Sequence, residues 1–248
     1  MSALSASARY ARRVALSCAC LAVLAACGSS AKPSATTSAP SSSSATTTSA
    51  PSSSSAAVPV ALPAGCVSTV PPKTNKPSYS SPPPMTIDTA KTYVAHVSTT
   101  CGTFDITLAA KIAPMTANSF VFLAQHHFYD GLTFHRLVPG FVIQGGDPKG
   151  DGTGGPGYEL ATEPPKDGYQ QGSVAMANAG PGTTGSQFFV TVSANGAKEL
   201  GGPPYLYSDL GTVTKGFDVI QKLMTFAPAT DGPPTRPLYM FKVTITES

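Results

Sequence analysis

Residues 28–57 are built almost wholly from Ser, Thr, Ala and Pro, and this stretch constrains the fold more than any other feature. Such side chains offer too little apolar surface to offset the entropy lost on ordering, so a segment of this kind stays disordered. Residues 58–84 remain Pro-rich but include Cys66, which pins this part to the folded region C-terminal to it. The packed domain is therefore expected from residues 85–248, where apolar and polar segments are interleaved. A domain of that size buries a sizeable core without a structural metal. As a flexible coil the stretch before it spans roughly 40 Å, and Pro extends it further. The Ser and Thr content also permits O-glycosylation.

Ahead of that stretch the chain reads as a targeting segment. Arg9, Arg12 and Arg13 precede an apolar run from Val14 to Ala26, shorter than the ~20 residues that span a bilayer. The run ends in Leu24-Ala25-Ala26-Cys27, which resembles the lipobox of bacterial lipoproteins, in which the Cys becomes the lipidated first residue. On this reading residues 1–26 are a signal peptide, 27–84 a lipidated N-terminus and linker, and 85–248 the domain. The expected location is extracytoplasmic, lipid-anchored to the bacterial cell membrane, since two acyl chains hold stably where one does so marginally. An ordinary secretory signal is the alternative. Arg12 and Arg13 also hint at twin-arginine export, although the flanking residues fit that pattern poorly.

Processing changes the charge argument. The whole chain has 16 Lys and Arg against 13 Asp and Glu, but three of the Arg lie in the leader, which leaves 13 against 13. Neither nucleic acid nor an anionic lipid surface is implied as a partner by charge. Of the 5 cysteines, Cys18 and Cys20 leave with the leader and Cys27 takes the lipid. Cys66 and Cys101 remain, and an even pair in an exported domain reads as a disulfide. Two separate thiols are the alternative.

Residues 92–98 and 103–108 read as strands of a hairpin turning at Thr100-Cys101-Gly102. Residues 114–125 carry Ala117, Phe120, Val121 and Ala124 at helical spacing, with Pro114 in the first turn. Further strands are expected at 132–137, 141–144, 173–177, 187–192, 210–213 and 239–246, and a second helix at 216–224. Many short strands, Gly- and Pro-rich turns and two helices predict a mostly β chain: a closed antiparallel barrel with helices over its ends.

Several chemistries find no support. Residues 150–155 and 180–185 both match G-x-G-x-x-G, but neither stands between a strand and a helix as a dinucleotide site requires, so both read as turns. No G-x-S-x-G elbow is present, and Ser173 and Ser186 read as strand-edge residues. His126 and His127 are adjacent and point different ways on a helix, and the histidines lack a zinc-like ligand spacing. No cofactor and no metal is expected.

The run from Phe134 to Asp147, Phe-His-Arg-Leu-Val-Pro-Gly-Phe-Val-Ile-Gln-Gly-Gly-Asp, stands apart. A glycine loop comes next, then Met176-Ala177-Asn178-Ala179-Gly180, then Gly185-Ser186-Gln187-Phe188-Phe189. In this order the three runs resemble the cyclophilin family, over about residues 93–245. The resemblance implies an eight-stranded antiparallel barrel capped by two helices, and cis/trans isomerisation of X-Pro bonds. Amide resonance sets a rotation barrier near 18–20 kcal/mol, so unaided X-Pro bonds take tens to hundreds of seconds. Reaching milliseconds requires roughly 5.5–7 kcal/mol of transition-state stabilisation. In the twisted transition state the prolyl nitrogen regains a lone pair, and a fixed donor aimed at it is stabilising only then.

By resemblance Arg136, permanently charged and planar, is that donor, and Gln144 binds the substrate backbone. Phe141, Val142 and Phe189 correspond to walls of the proline pocket. Ala177 and Asn178 match the strip that aligns the peptide, and Gln187 a second polar contact. Tyr207, more than Tyr205, stands where family members carry His or Tyr. Strand alternation sends Phe141 and Val142 to opposite faces, so both reach one site only if the strand start twists after Pro139-Gly140. His135 reads as a structural hydrogen-bonder and Asp147 as a turn residue.

Three departures stand out. Val142 replaces the family's usual Met, the chain has no Trp, and residues 199–209 are Gly- and Pro-rich. Weak inhibition by cyclosporin-type ligands is expected. The function implied is a membrane-anchored, monomeric isomerase acting on proline-containing peptides and unfolded exported proteins. The alternative is a cyclophilin-fold peptide-binding or scaffold module with little turnover.

Overall fold

The computed structural model describes residues 61–248. The leader, Cys27 and the Ser/Thr/Pro-rich stretch up to residue 60 lie outside the described residues.

The first hairpin shows why this sequence makes sheet. In β1 (Tyr93–Thr99) Tyr93, Ala95 and Val97 are buried while Val94, His96 and Ser98 face outward. In β2 (Gly102–Leu108) Phe104, Ile106 and Leu108 do the same, so the period-2 pattern puts one face of the hairpin in the core. The strands pair antiparallel from Val94 opposite Thr107 to Thr99 opposite Gly102. Gly102 turns the chain at φ 124°, a conformation that a side chain would oppose.

The remaining elements are α1 (Pro114–Gln125), β3 (Arg136–Val138), β4 (Val142–Gly145), β5 (Ser173–Met176), β6 (Phe188–Thr191), α2 (Ala194–Glu199), β7 (Asp209–Lys215), α3 (Phe217–Met224) and β8 (Met240–Glu247). All strand pairings are antiparallel, in the order β3-β4-β6-β5-β7-β2-β1-β8. The sheet curls around one large core that includes Phe104, Phe120, Phe128, Phe134, Phe188 and Ile143. Helix α1 packs against β7 and β8, and α3 against β2.

The sheet curls into a half-barrel, and between β3 and β8 stands an isolated antiparallel bridge, Thr133 to Tyr239. Residues 132–134 fall outside β3 and hydrogen-bond residues 238–240, Phe134 N–H to Leu238 O at 2.9 Å and Met240 N–H to Leu132 O at 2.8 Å. One expectation needs correction: there is a third helix. Six-residue α2 is too short for a periodic signal, and it starts where Ser193 accepts from the Gly196 N–H at 2.9 Å.

Helix α1 takes its cap from a distant residue. Ala113 offers no side-chain cap; the Glu163 carboxylate accepts from the Met115 and Thr116 N–H groups at 3.2 and 2.7 Å, a favourable charge at a helix N-terminus. At the other end His127 adopts φ 57°, and its N–H and that of Phe128 bond back to Ala124 O and Leu123 O. This is a left-handed closing turn with His127 in the left-handed position.

Residues 61–84 form no helix or strand but lie as a strap on the domain. Cys66 and Cys101 are joined by a disulfide across a separation of 35 residues, a closure that contributes roughly 3–4 kcal/mol in the chain-entropy account. Val67 N–H donates to Thr100 O at 2.8 Å, and Tyr79 N–H to Pro156 O at 2.8 Å. Lys76 Nζ donates to the carbonyls of His127 and Asp130. The strap closes at Pro84 O, which accepts from Asn118 Nδ2 at 2.9 Å.

Candidate active site

The strands β3, β4, β6 and β5 have two occupied faces. Inward residues Leu137, Ile143, Phe188, Val190, Val174 and Met176 belong to the main core. Their outward neighbours form a second apolar cluster in which Val142, Ala175, Phe189 and Leu200 are buried. Val138, Phe141, Tyr169, Ala177 and Tyr207 pack against it half-buried. The period of two therefore builds an apolar patch on the outside of the curl.

Arg136 and Gln144 face each other in register across β3 and β4, and Gln144 faces Phe189 across β4 and β6. Register alone thus lays a cation, an amide and an aromatic wall side by side. Arg136 Nη1 donates to Gln144 Oε1 at 3.0 Å, and Gln144 Nε2 donates to Gln187 Oε1 at 3.0 Å. Gln187 Nε2 donates in turn to Gly152 O and Gly154 O, both at 2.9 Å. The loop that presents those carbonyls is tied down by Asp147, which is 1% exposed and accepts from the N–H groups of Lys149, Asp151 and Gly152 at 2.8, 3.0 and 2.6 Å. Asp147 is thus the turn residue the sequence suggests. At Gly154 a Cβ would stand 1.9 Å from its Oδ1, so this glycine is required by the close approach.

On its other edge Arg136 meets a residue that no sequence signal marks. Nε and Nη2 donate to Asp231 Oδ1 and Oδ2 at 2.8 and 2.7 Å. The backbone pair of Leu137 with Gly232 sets Asp231 beside β3. The hydrogen bonds from Arg136 lower the Asp231 pKa, with burial opposing and the charge of Arg136 assisting. A guanidinium has five N–H donors; three are used in these contacts, and among the described residues the other two have no partner.

The predicted pocket residues come together. Phe141 and Val142 both reach the outer cluster, because Gly140 turns at φ 73° and Phe141 precedes β4, its N–H bonded to Val138 O at 3.0 Å. Helix α2 secures that turn through Gly196, whose Cβ position lies 2.7 Å from Gly140 O. Phe189 and Tyr207 meet edge to face with centroids 5.2 Å apart. Ala177 N–H donates to Gln187 O at 2.9 Å. Asn178 holds the rim by donating to Leu206 O at 2.8 Å. Tyr205 stacks edge-on against Tyr169 instead of lining the pocket wall.

Leu200 and Tyr169 complete the pocket without having been anticipated. The Tyr169 hydroxyl donates to Tyr207 O at 2.8 Å and accepts from Tyr207 N–H at 3.0 Å. Burial is the main cause that pushes its pKa up to about 12, so the hydroxyl keeps its proton throughout the physiological range. His135 corrects an expectation: both ring nitrogens are buried without a hydrogen-bond partner among the described residues. Burial lowers its pKa, with Asp147 opposing and Arg136 assisting. Both G-x-G-x-x-G stretches are turns with no helix directly after them. Among the described residues no group of three or more His, Cys, Asp or Glu is placed to hold a metal ion.

An outer apolar cluster, an arginine with spare donors in register with it through Gln144, and a polar amide row leading away lie on one face of the sheet. A family model described as cyclophilin type peptidyl-prolyl cis-trans isomerase/CLD matches residues 94–245. Peptidyl-prolyl cis-trans isomerase B of Streptomyces anulatus is 47% identical over 121 residues, which are 42% of this chain and 69% of that one. A peptidyl-prolyl cis-trans isomerase of Helicobacter pylori is 49% identical over 105 residues, 41% of this chain and 63% of that one. The chain thus spans about two thirds of the length of these relatives. The crystal structure of a Cryptosporidium parvum cyclophilin type isomerase in the presence of the dipeptide Ala-Pro is similar at TM-score 0.57 and 28% identity, covering 62% of this chain and 99% of that one. The chain belongs to the cyclophilin-type peptidyl-prolyl cis-trans isomerase family.

Proposed function

We propose that this chain isomerises X-Pro bonds in exported proteins, at the outer face of the bacterial cell membrane to which Cys27 anchors it. The carrying observation is Arg136, fixed by Asp231 and Gln144 with two donors left over, on the face that carries the outer apolar cluster. The proline ring enters the pocket between Phe189, Val142, Leu200 and Phe141. Gln144 and the strip of Ala177 and Asn178 hold the peptide backbone, with Gln187 beside them. As the amide twists, the prolyl nitrogen becomes a hydrogen-bond acceptor, and Arg136 donates to it. In the planar ground state that nitrogen is a poor acceptor, so the contact stabilises the transition state selectively. The likeness to a Cryptosporidium structure determined in the presence of Ala-Pro supports a proline-sized occupant. No nucleophile or proton transfer from carbon is needed.

A protease-coupled assay on X-Pro tetrapeptides tests the assignment. Arg136→Ala is expected to lower kcat/KM about 10²–10³-fold, the range seen when one preorganised donor is removed elsewhere. Equal rates for the two proteins would overturn the role of Arg136. Wild type at the uncatalysed rate would instead leave a peptide-binding module.

A further inference from the structure

The amide row does not end at Gln187. Beyond it lies an open groove of about 810 Å³ lined among others by Gln144, Ala177, Asn178 and Gln187. Its far side is not built by the family domain alone. Ser78, from the strap, lines the groove beside Tyr158 and Glu159, and residue 78 lies outside the 94–245 that the family model matches. The strap is pressed onto this wall: at Gly157 (φ 97°) a Cβ would stand 2.4 Å from Ser78 Oγ and 2.5 Å from Tyr79 O. Tyr79 is the anchor. Its ring meets Phe122 at 5.0 Å, His126 at 6.4 Å and Tyr158 at 6.4 Å between centroids, and Tyr158 itself hydrogen-bonds Ser119 at 2.7 Å. Tyr79 thereby ties the groove wall to helix α1.

We propose that Ser78 of the strap, held in place by Tyr79, is a substrate-contacting wall that selects for the peptide residues flanking proline on the Gln187 side. This rests on the isomerase reading above. The groove is lined by Ser78, Lys149, Thr153, Glu159 and Asn178 as well as Gln187, so its preferred occupant is a polar peptide extension. A peptide that ends near proline fills only the apolar pocket and does not meet the strap. A longer one runs along the amide row and does.

The test uses the full chain and NMR exchange measurements on two peptides, a capped Ala-Pro dipeptide and an octapeptide with Ala-Pro at its centre and Ser and Gln flanks. Its readout is the ratio of kcat/KM on the long peptide to that on the short one. Ser78→Trp is expected to lower that ratio about tenfold, at the lower end of what pocket contacts discriminate. Tyr79→Ala is expected to lower it in the same direction by loosening the wall. Tyr79→Phe is expected to keep the wild-type ratio, because among the described residues the Tyr79 hydroxyl makes no hydrogen bond. An unchanged ratio in both Ser78→Trp and Tyr79→Ala, or a proportional loss on both peptides, overturns the proposal. Wild type without activity on either peptide refutes the isomerase reading itself.

Discussion

At Arg136 the guanidinium is held along two edges, by the Asp231 carboxylate on one and by the Gln144 amide on the other. Behind Gln144 the chain of contacts continues through Gln187 to the carbonyls of the loop that Asp147 ties down. In the proposed mechanism a donor positioned before the reaction needs little reorganisation when the prolyl nitrogen turns toward it. Tyr169 serves the apolar side of the site in the same way, since it clasps both backbone groups of Tyr207 and so sets the edge of the ring against Phe189. Tyr169→Phe keeps the ring and removes the clasp. Losing a hydrogen bond worth about 1 kcal/mol predicts a rise in KM of about fivefold with kcat changed less than about twofold. Steady-state kinetics on one X-Pro peptide separates the two, and an equal fall in kcat would show that Tyr169 acts on the chemical step instead.

Among the elements, the short strands β3, β4, β5 and β6 do two jobs because their two faces are both apolar, one for the core and one for the pocket. Strand β7 begins next to that pocket at Asp209, where burial pushes the carboxyl up to about 6 against an ordinary 3.8, with a hydrogen bond from the Gly211 backbone opposing. Between those two values the folded chain binds more protons than the unfolded one. This group therefore adds stability as pH falls from 7 toward 4 and withdraws it as pH rises through 6. Asp209→Asn, which retains an acceptor, is expected to raise Tm at pH 7.5, with the gain shrinking toward zero at pH 4.5. Thermal unfolding at the two pH values checks this; a gain of the same size at both would exclude titration as its cause.

At the scale of the whole molecule, the strap and the disulfide make residues 61–84 part of the folded body rather than of the tether. The lipid anchor proposed at Cys27 lies outside the described residues, and it has a direct test. Full-length protein expressed in a bacterial host is expected to partition into the detergent phase of a phase-separating surfactant extract, and Cys27→Ser into the aqueous phase. Aqueous partition of both would remove the anchor and leave an ordinary secreted isomerase.

Strand and helix positions are legible in the residues because they rest on local causes: alternation in 93–108, Pro114 opening α1, and glycines where the chain turns. Arg136, Gln144, Phe141, Val142 and Phe189 are legible because they fall in contiguous runs with a family likeness. Six-residue α2 is not, for want of periodicity. Nor can a local pattern mark Asp231, 95 residues from Arg136, or Glu163 capping a helix 47 residues away, or Leu200 closing the pocket. The order of residues along the chain is enough to name side chains that lie together at the candidate site. Which partners hold them still, and that the strap reaches the groove, emerges only on folding, because those contacts depend on how distant segments meet once the sheet has curled.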